Sequence, residues 1–270
     1  MKLHFFLLIL LIIISIICVI FYNSQDTITE YSTYDEVMKT IDESYFFERM
    51  SQRDLAARNC SSKEEYKELY KKNVINFTKH EKNELRRLVK KANVLLENYK
   101  ISSIKWKFCK INPIIEWNYP HTVGQIIMLP YIPNIQTLIH EKLHVYQRLY
   151  PIETSILIHD FWGYSIKDKI ENIPNARNNP DTNSFVYGKG DFKIAQIYEE
   201  DLDKSNAYII NNGEKILATA QELGVPMSVK QLEHCYEIMA CIIPQILLNI
   251  VSKDSIKFVY DTTVWMNKYL

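Results

Sequence analysis

The sequence predicts an α+β protein, with a small and mostly antiparallel sheet between helices, behind an N-terminal transmembrane helix. Three observations support this class. Residues 5–22 form an uncharged apolar run, and residues 62–99 carry apolar side chains at helical spacing. After Lys100, apolar and polar residues alternate as they do in a strand. Helices grouped before and after a short sheet indicate the α+β class rather than alternating βαβ units.

The apolar run "FFLLILLIIISIICVIFY" (5–22) predicts a membrane span. As a helix it would extend roughly 27 Å, enough to cross the hydrocarbon core of a bilayer. It ends in "VIFYNSQD", without the small-residue pattern of a signal-peptidase site. An uncleaved signal anchor is therefore favoured over a cleaved signal peptide.

Charges on either side of this run predict its orientation. Lys2 lies before it, whereas Asp26 and Glu30 follow it. The positive-inside rule then places residues 1–4 in the cytoplasm as a short tail and residues 23–270 on the opposite side. The expectation is a single-pass type II membrane protein with a lumenal or extracellular domain, for which the lipid bilayer is a partner.

Behind the anchor, residues 23–60 predict a stalk that includes short helices, and residues 61–270 predict the main domain. "SSKEEYKELYKK" opens with a serine cap and an acidic first turn, which is typical of a helix start. The helix that follows places one apolar stripe on its surface. The stripe consists of Leu85, Leu88, Val89, Ala92, Leu95 and Leu96.

The middle of the chain predicts strands, and its end predicts helices. "ISSIKWKFCKI" and "TVGQIIML" (122–129) each indicate one strand, with Pro130 closing the second. A hairpin is expected around "YGKGDF". From Ser228, "SVKQLEHCYEIMACI" predicts a second long amphipathic helix.

Composition excludes several classes of protein. Lys+Arg and Asp+Glu are both 32, so a net charge of zero gives no overall electrostatic attraction to nucleic acid. With six glycines, the chain contains no Gly-rich phosphate loop. Cys60, Cys109, Cys235 and Cys241 are an even number compatible with two disulfides, and the absence of a CxxC pair argues against a thiolate zinc site.

The stretch "TLIHEKLHVYQRLYP" (137–151) contains candidate metal-binding and catalytic residues. His140 and His144 are four apart, so on a helix both imidazoles lie on one face and can reach one cation. Glu141 is turned about 100° from His140 and suits hydrogen bonding to a water on that cation. Zinc lowers the pKa of a bound water to about 7, and a neighbouring carboxylate can then take its proton. The same spacing also fits an ordinary amphipathic helix with two partly buried histidines.

A catalytic zinc ion needs a third protein ligand. The extended motif with a glycine three residues and a histidine six residues after the second histidine is excluded, because Gln147 and Tyr150 stand there. Several acidic and histidine side chains further along the chain remain candidates. They are His159, Asp160, Glu171, Glu199, Glu200, Glu233, His234 and Glu237.

One of these candidates lies in a pattern that resembles a known family. "EIMA" is similar to the E-x-x-A pattern on the third-ligand helix of gluzincins, the H-E-x-x-H metallopeptidases whose last ligand is a glutamate. The resemblance implies that Glu237 completes a zinc site with His140 and His144. Glu233 and His234 remain rivals as ligands, and His234 is also a candidate for orienting a ligand.

A wider resemblance covers about residues 105–245. "PHTVGQIIML", the H-E-x-x-H helix, "NNPDTNSFVY" and "HCYEIMA" together look like a group of zincin-like proteins encoded by large DNA viruses. That likeness implies a zincin-like catalytic domain, one Zn²⁺ and peptidase activity, but it does not supply a substrate. The spacing of about ninety residues between His144 and Glu237 is longer than in compact gluzincins.

Further residues are candidates for substrate chemistry. Peptide hydrolysis develops an oxyanion that needs a donor besides the metal, and Tyr187 is favoured, with Arg177 or His234 as alternatives. Asp181 is a candidate for orienting a ligand histidine. In gluzincins an edge strand before the active-site helix pairs with extended substrate, which gives "PHTVGQIIML" that role and places Trp106 beside the cleft.

The sequence is thus interpreted as a membrane-anchored zinc peptidase of the gluzincin type. His140, His144 and Glu237 would hold Zn²⁺, and Glu141 would be the general base. The expected partners are a peptide or protein substrate and the bilayer, and not nucleic acid. The alternative is a membrane or virion-envelope interaction protein that keeps a zincin fold without catalysis. Nothing in the sequence indicates an oligomeric state.

Overall fold

The computed structural model describes residues 29–200, 204–251 and 257–270. The predicted tail and anchor, residues 1–22, lie outside the described residues. Within the ranges that are described, no helix is both long and apolar enough to cross a membrane. The domain is α+β, as the sequence predicted.

The first half of the chain places short helices around a sheet. Its strands are β1 (Thr29–Tyr31), β2 (Val74–Ile75), β3 (Trp106–Ile111), β4 (His121–Val123) and β5 (Ile126–Leu129). Its helices are α1 (Tyr34–Glu43), α2 (Tyr45–Glu48), α3 (Gln52–Ala57), α4 (Lys63–Lys72) and α5 (Lys79–Leu96).

The second half has a second sheet between helices. The helix with the H-E-x-x-H motif, α6 (Ile135–Leu149), leads into α7 (Pro151–Ile156). The strands are β6 (Ser165–Lys169), β7 (Phe185–Lys189), β8 (Phe192–Tyr198), β9 (Ser205–Asn211) and β10 (Glu214–Leu217). The closing helices are α8 (Ala220–Leu223), α9 (Cys235–Leu247) and α10 (Lys257–Tyr269).

The two sheets differ in topology. The first is mixed, with strand order β1-β3-β5-β4 and with β2 on β3. Its β1–β3 and β3–β5 pairs are parallel, and the other two are antiparallel. The second is an antiparallel meander in the order β10-β9-β8-β7-β6. The expected hairpin around "YGKGDF" is its β7–β8 pair, but the sequence did not predict the other strands of this sheet.

The segment predicted as one strand, 122–129, is instead a tight hairpin of β4 and β5. Gly124 lies in its turn with φ +58°, a conformation that favours glycine. A Cβ atom there would meet Thr40 Cγ2 of α1 at 2.8 Å, so any larger residue would also have to displace this side chain. The apolar residues on either side of Gly124 hid this turn from the strand pattern.

Two predicted helices have different limits in the structure. The helical stretch 62–99 is interrupted between α4 and α5, where Val74 and Ile75 pair with β3 and Thr78 begins α5 with a capping box. The helix expected from Ser228 begins at Cys235, because His234 is extended and caps it by accepting from Tyr236 N. Residues upstream of His234 therefore do not share a helical face with Glu237.

The helices of residues 34–57, which the sequence assigned to a stalk, pack against the first sheet. Val37, Ile41 and Phe47 are buried in one cluster with Met128 of β5. This packing makes the N-terminal helices part of the domain's core.

The largest cluster of buried apolar residues joins α5, α6, α9 and α10. Leu85, Val89, Ala92 and Leu96 of the predicted stripe are buried in it, as expected for an amphipathic helix. Leu138, Leu143 and other apolar side chains of α6 face the same core. This packing fixes α6 against α9, which brings the two parts of the candidate site together.

The cysteines do not form the disulfides that their even number allowed. Cys60, Cys109, Cys235 and Cys241 are all free thiols in the described part of the chain. Burial raises the pKa values of Cys60, Cys109 and Cys235. The fold is therefore held without a disulfide among these four residues.

Candidate metal centre

The structure brings His140, His144 and Glu237 together where α6 packs on α9. Glu237 Oε2 lies 3.3 Å from His140 Nε2 and 3.4 Å from His144 Nε2. The two Nε2 atoms are 2.9 Å apart. All three ligand atoms thus face one point, although about ninety residues separate the two helices in the sequence.

This geometry fits a single metal ion. Tetrahedral ligands at about 2.0–2.1 Å from zinc lie roughly 3.3–3.4 Å from one another, close to both histidine–glutamate distances. Glu237 Oε2 is buried and makes no hydrogen bond among the described residues. A buried carboxylate oxygen without a partner is costly, and a cation at this point would satisfy it. Two imidazoles and a carboxylate also suit other divalent transition metals, so the arrangement does not single out zinc.

Gln147 orients His144. The Nδ1–H of His144 donates to Gln147 Oε1 at 2.8 Å, and Gln147 Nε2 donates to the backbone oxygen of Tyr236 at 2.9 Å. With its proton on Nδ1, the ring keeps the Nε2 lone pair for a metal. Gln147 therefore links the α6 histidine to the start of α9.

Asn179 orients Glu237. Its Nδ2 donates to Glu237 Oε1 at 2.7 Å, so the other oxygen is left facing the histidines. Two arginines hold the segment that carries Asn179. Arg49 Nη2 donates to the backbone oxygens of Asn179 at 2.8 Å and Thr182 at 2.6 Å, and Arg148 Nη2 donates to Pro180 O at 2.7 Å.

Cys241 lies beside His140 on the side away from the cluster. Its Sγ is 3.9 Å from His140 Nδ1, and its thiol donates to Gln231 Oε1 at 3.0 Å. The contact is long, so it fixes the His140 ring less firmly than Gln147 fixes His144.

The protonation states of the three residues depend on one another. Burial lowers the pKa of His140, but its contacts with Cys241 and Glu237 outweigh this and raise the pKa well above its ordinary value. Burial likewise opposes the charged form of His144, whose pKa is nevertheless raised by Glu237 and Asp181. Burial would raise the pKa of Glu237, yet the two histidines hold it well below its usual range. Without a metal, protons on the histidines balance the carboxylate, and a metal must displace them.

Glu141 is buried next to this cluster. Its Oε2 has no hydrogen-bond partner in the described ranges. Burial and the charge of Asp181 raise the pKa of Glu141 to about 8, against the opposing effect of His140 and His144. A divalent cation between the three ligands would favour the ionised form of this carboxyl group.

The residues suggested as oxyanion donors are engaged elsewhere. Tyr187 is buried, and its hydroxyl oxygen accepts from Asn183 Nδ2 at 2.9 Å. His234 donates from Nε2 to Phe185 O at 3.0 Å, and its Nδ1 accepts from Tyr236 N. Burial lowers the pKa of His234 to about 4, so it is neutral at pH 7 with both ring nitrogens in use. This removes His234 as a rival metal ligand.

Arg177 and Asp181 have partners outside the cluster. Arg177 Nη1 donates to Gln196 Oε1 at 2.9 Å. Asp181 accepts from Thr122 N at 2.7 Å and from Thr122 Oγ1 at 2.6 Å. The hydrogen bond to a histidine that we expected from Asp181 is made by Gln147 instead.

The backbone groups of the edge strand expected to bind substrate are only partly available for hydrogen bonding. The backbone N–H of Thr122 in β4 donates to Asp181, so it is not available for pairing with a substrate strand. Trp106 does not line a cleft near the cluster. It is fully buried beneath Lys142, whose Nζ lies 3.9 Å from the centre of its ring.

Sequence reasoning missed three residues that support the cluster: Gln147, Asn179 and Arg49. Gln147 had entered only as the residue that excludes a third histidine, although its position one helical turn after His144 could have revealed its role. Asn179 and Arg49 have no such signal, because they are 58 and 130 residues from the partners they bind.

Comparison with protein families, with curated proteins and with solved structures finds no match for this chain.

Proposed function

We propose that this protein is a zinc-dependent peptidase of the gluzincin type. The observation that carries the proposal is the meeting of His140, His144 and Glu237 around one point, with the buried Glu141 beside them. Glu237 is the residue that the E-x-x-A pattern selected, and its Oε2, which makes no hydrogen bond among the described residues, faces both histidines.

In this proposal each residue has a separate task. His140, His144 and Glu237 hold Zn²⁺, while Gln147 and Asn179 keep two of these ligands in place. Zinc, when bound, polarises the scissile carbonyl and lowers the pKa of a coordinated water to about 7. Glu141 takes the proton of the attacking water and later gives it to the leaving amine.

The role of Tyr187 as oxyanion donor stays a prediction. Its hydroxyl oxygen accepts from Asn183 and its hydroxyl proton is donated to Tyr236, so donation to an oxyanion requires that proton to turn away from Tyr236. Tyr187→Phe removes this donor and keeps the packing of the ring. The expected result is a loss in kcat of about a hundredfold or more, with little change in KM. An unchanged kcat would assign Tyr187 to packing.

The membrane part of the proposal rests on the sequence. The apolar residues 5–22 would anchor the chain, with the catalytic domain lumenal, extracellular or on a virion surface, and with nearby peptides or proteins as substrates.

The test is digestion of a peptide library by the full chain in detergent micelles, with Glu141→Gln as the matched control. Glu141→Gln keeps the size of the side chain and removes its basicity. We expect products from the native chain and a loss of at least about a hundredfold in the variant. Identical product profiles for the two proteins would contradict peptidase activity and favour an interaction protein with a zincin-like fold.

A further inference from the structure

Helix α5 concentrates positive charge in a protein whose net charge is zero. It contains six Lys and Arg residues but only two Glu residues. At about 100° per residue, the six basic residues cover about half of the helix circumference, outside its buried apolar stripe. We call this surface the basic face of α5, and it consists of Lys79, Lys82, Arg86, Arg87, Lys90 and Lys91.

Acidic side chains of the same helix do not neutralise the basic face. Glu81 forms an ion pair with Lys110 of β3, which leaves Glu84 as the other acid of α5. Arg87 and Lys91 are exposed, and neither makes a hydrogen bond or an ion pair with another described residue. These two residues are four apart, so their like charges repel each other on the helix surface. An anionic partner would relieve this repulsion.

The basic face lies beside β1, the first strand after the predicted anchor. The hydroxyl group of Tyr31 in β1 donates to the backbone oxygen of Lys82 at 3.0 Å. Lys82 Nζ lies 4.9 Å and Arg86 Cζ lies 5.7 Å from the centre of the Tyr31 ring. These contacts hold the basic face against the start of the domain.

The length of the connecting chain limits how far β1 can lie from the bilayer. The predicted anchor ends at Tyr22 and β1 begins at Thr29, so six residues separate them. Six residues extend at most about 22 Å. The basic face is therefore tethered near the lipid headgroups, where each Lys or Arg strengthens binding to an anionic surface by about fivefold.

We propose that the basic face of α5 docks on anionic lipid headgroups of the bilayer in which the chain is anchored. The headgroup phosphates are the binding partners, and docking holds the domain in one orientation against the bilayer. The inference rests on the anchor of the proposed function and does not depend on peptidase activity.

Acetylation of lysines, measured by mass spectrometry, tests this docking in the full chain reconstituted into lipid nanodiscs. One set of discs contains phosphatidylcholine alone, and the other contains phosphatidylcholine and phosphatidylglycerol in equal parts. We expect Lys79 and Lys91 to react about threefold or more slowly in the anionic discs, whereas Lys230, exposed before α9, keeps its rate. The protection should disappear in about 1 M sodium chloride, where the Debye length falls to about 3 Å.

Charge reversal on α5 provides the second arm. Arg87→Glu combined with Lys91→Glu should abolish the protection of Lys79. Lys167→Glu combined with Lys215→Glu, which reverses two exposed lysines of the second sheet, is the matched control and should preserve it. Thermal unfolding checks that both variants are folded, and the salt dependence of the native chain decides the question should either variant unfold.

Equal reaction rates of Lys79 in the two kinds of disc, or protection that survives the charge reversal on α5, overturns the inference. Protection by a DNA duplex in neutral discs without protection by anionic lipid would assign the basic face to nucleic acid, and would overturn it as well. A chain that does not float with the discs would contradict the anchor and the docking together. Peptide digestion tests the peptidase proposal separately, so its failure would leave the docking result unchanged.

Discussion

The two oxygens of Glu237 have different environments, and this difference defines the candidate site. Oε1 accepts from Asn179 at 2.7 Å, whereas Oε2 is buried, makes no hydrogen bond among the described residues and lies 3.3 and 3.4 Å from the two histidines. The amide donor thus fixes which oxygen faces the candidate metal position. Removing a residue that hydrogen-bonds to a metal ligand commonly changes metal affinity by about 10- to 100-fold.

At this position we expect Asn179→Ala to weaken zinc binding by about 10- to 100-fold, because the Glu237 carboxylate is then free to rotate. Competition with a chromophoric chelator measures the affinity. Asn172→Ala, at an exposed asparagine, is the matched control and should leave zinc affinity unchanged. Equal affinities for Asn179→Ala and the native chain would show that Asn179 does not position the ligand.

Individual residues also show how far the sequence could predict the site. His140, Glu141 and His144 are close in sequence, so their geometry follows from helical spacing alone. The prediction of Glu237 as the third ligand depended on the four-residue E-x-x-A pattern. Asn179 was not predicted, since its contact with Glu237 depends on how a segment outside any helix or strand packs against α9.

Among the larger elements, the turn Ile115–Asn118 between β3 and β4 is strained. Glu116, Trp117 and Asn118 have φ values of 45°, 53° and 65°. Left-handed conformations cost roughly 1–2 kcal/mol for each non-glycine residue. Arg58 offsets this cost by binding both oxygens of the buried Glu116, at 2.7 and 2.8 Å.

This ion pair predicts a dependence of stability on acid. Burial opposes ionisation of Glu116, but Arg58 outweighs it and lowers the pKa to about 2 from an ordinary 4.5. A pKa lowered by folding stabilises the protein above pH 4.5, and that contribution is lost as the pH falls toward 2. Urea unfolding between pH 6 and pH 3 should show this loss.

In the same measurement we expect Glu116→Gln to destabilise the fold at pH 6 by about 3–5 kcal/mol, because the buried Arg58 loses its main partner. The variant should also depend less on pH over this range. A variant as stable as the native chain at pH 6, or with the same acid sensitivity, would contradict the role given to the pair.

The segment 179–182 connects the N-terminal helices to the candidate metal centre. Arg49, directly after α2, holds the backbone of Asn179 and Thr182. We expect Arg49→Met to lower zinc affinity less than Asn179→Ala does, and the double variant to be no worse than Asn179→Ala alone. Additive effects in this double-mutant cycle would show that Arg49 acts independently of Asn179.

Elements were predicted well where a single face is buried and poorly where both sides are apolar. The buried stripe of α5 follows its periodicity, and α6 has the expected helical frame. The β4–β5 hairpin is apolar on both sides of Gly124 and was predicted as one strand. The start of α9 was predicted at Ser228 instead of Cys235, because the residue that caps it, His234, is not among the usual capping residues.

For the whole molecule, the candidate site joins parts that are distant in sequence. α6 supplies two candidate ligands, α9 supplies the third, and Arg49 from the N-terminal helices supports the segment 179–182. Composition and element order were sufficient to predict the α+β class. They could not show that residues 34–57 pack into the domain, since this packing depends on contacts across the chain.

A metal that binds only the folded arrangement should stabilise the whole domain. At a free zinc concentration of one hundred times the dissociation constant, the free energy of unfolding should rise by about 2.7 kcal/mol. Thermal unfolding with and without zinc measures the change. His140→Ala should remove the response, whereas His80→Ala, at an exposed histidine of α5, should keep it. An equal response in both variants would place zinc elsewhere.

Elemental analysis of the purified full chain is the decisive test of whether His140, His144 and Glu237 hold one zinc ion. The expectation is about one zinc per chain in the native protein, and little or none in His140→Ala and Glu237→Ala prepared in the same way. The absence of stoichiometric zinc from the native chain, or equal zinc in the native chain and both variants, would contradict it.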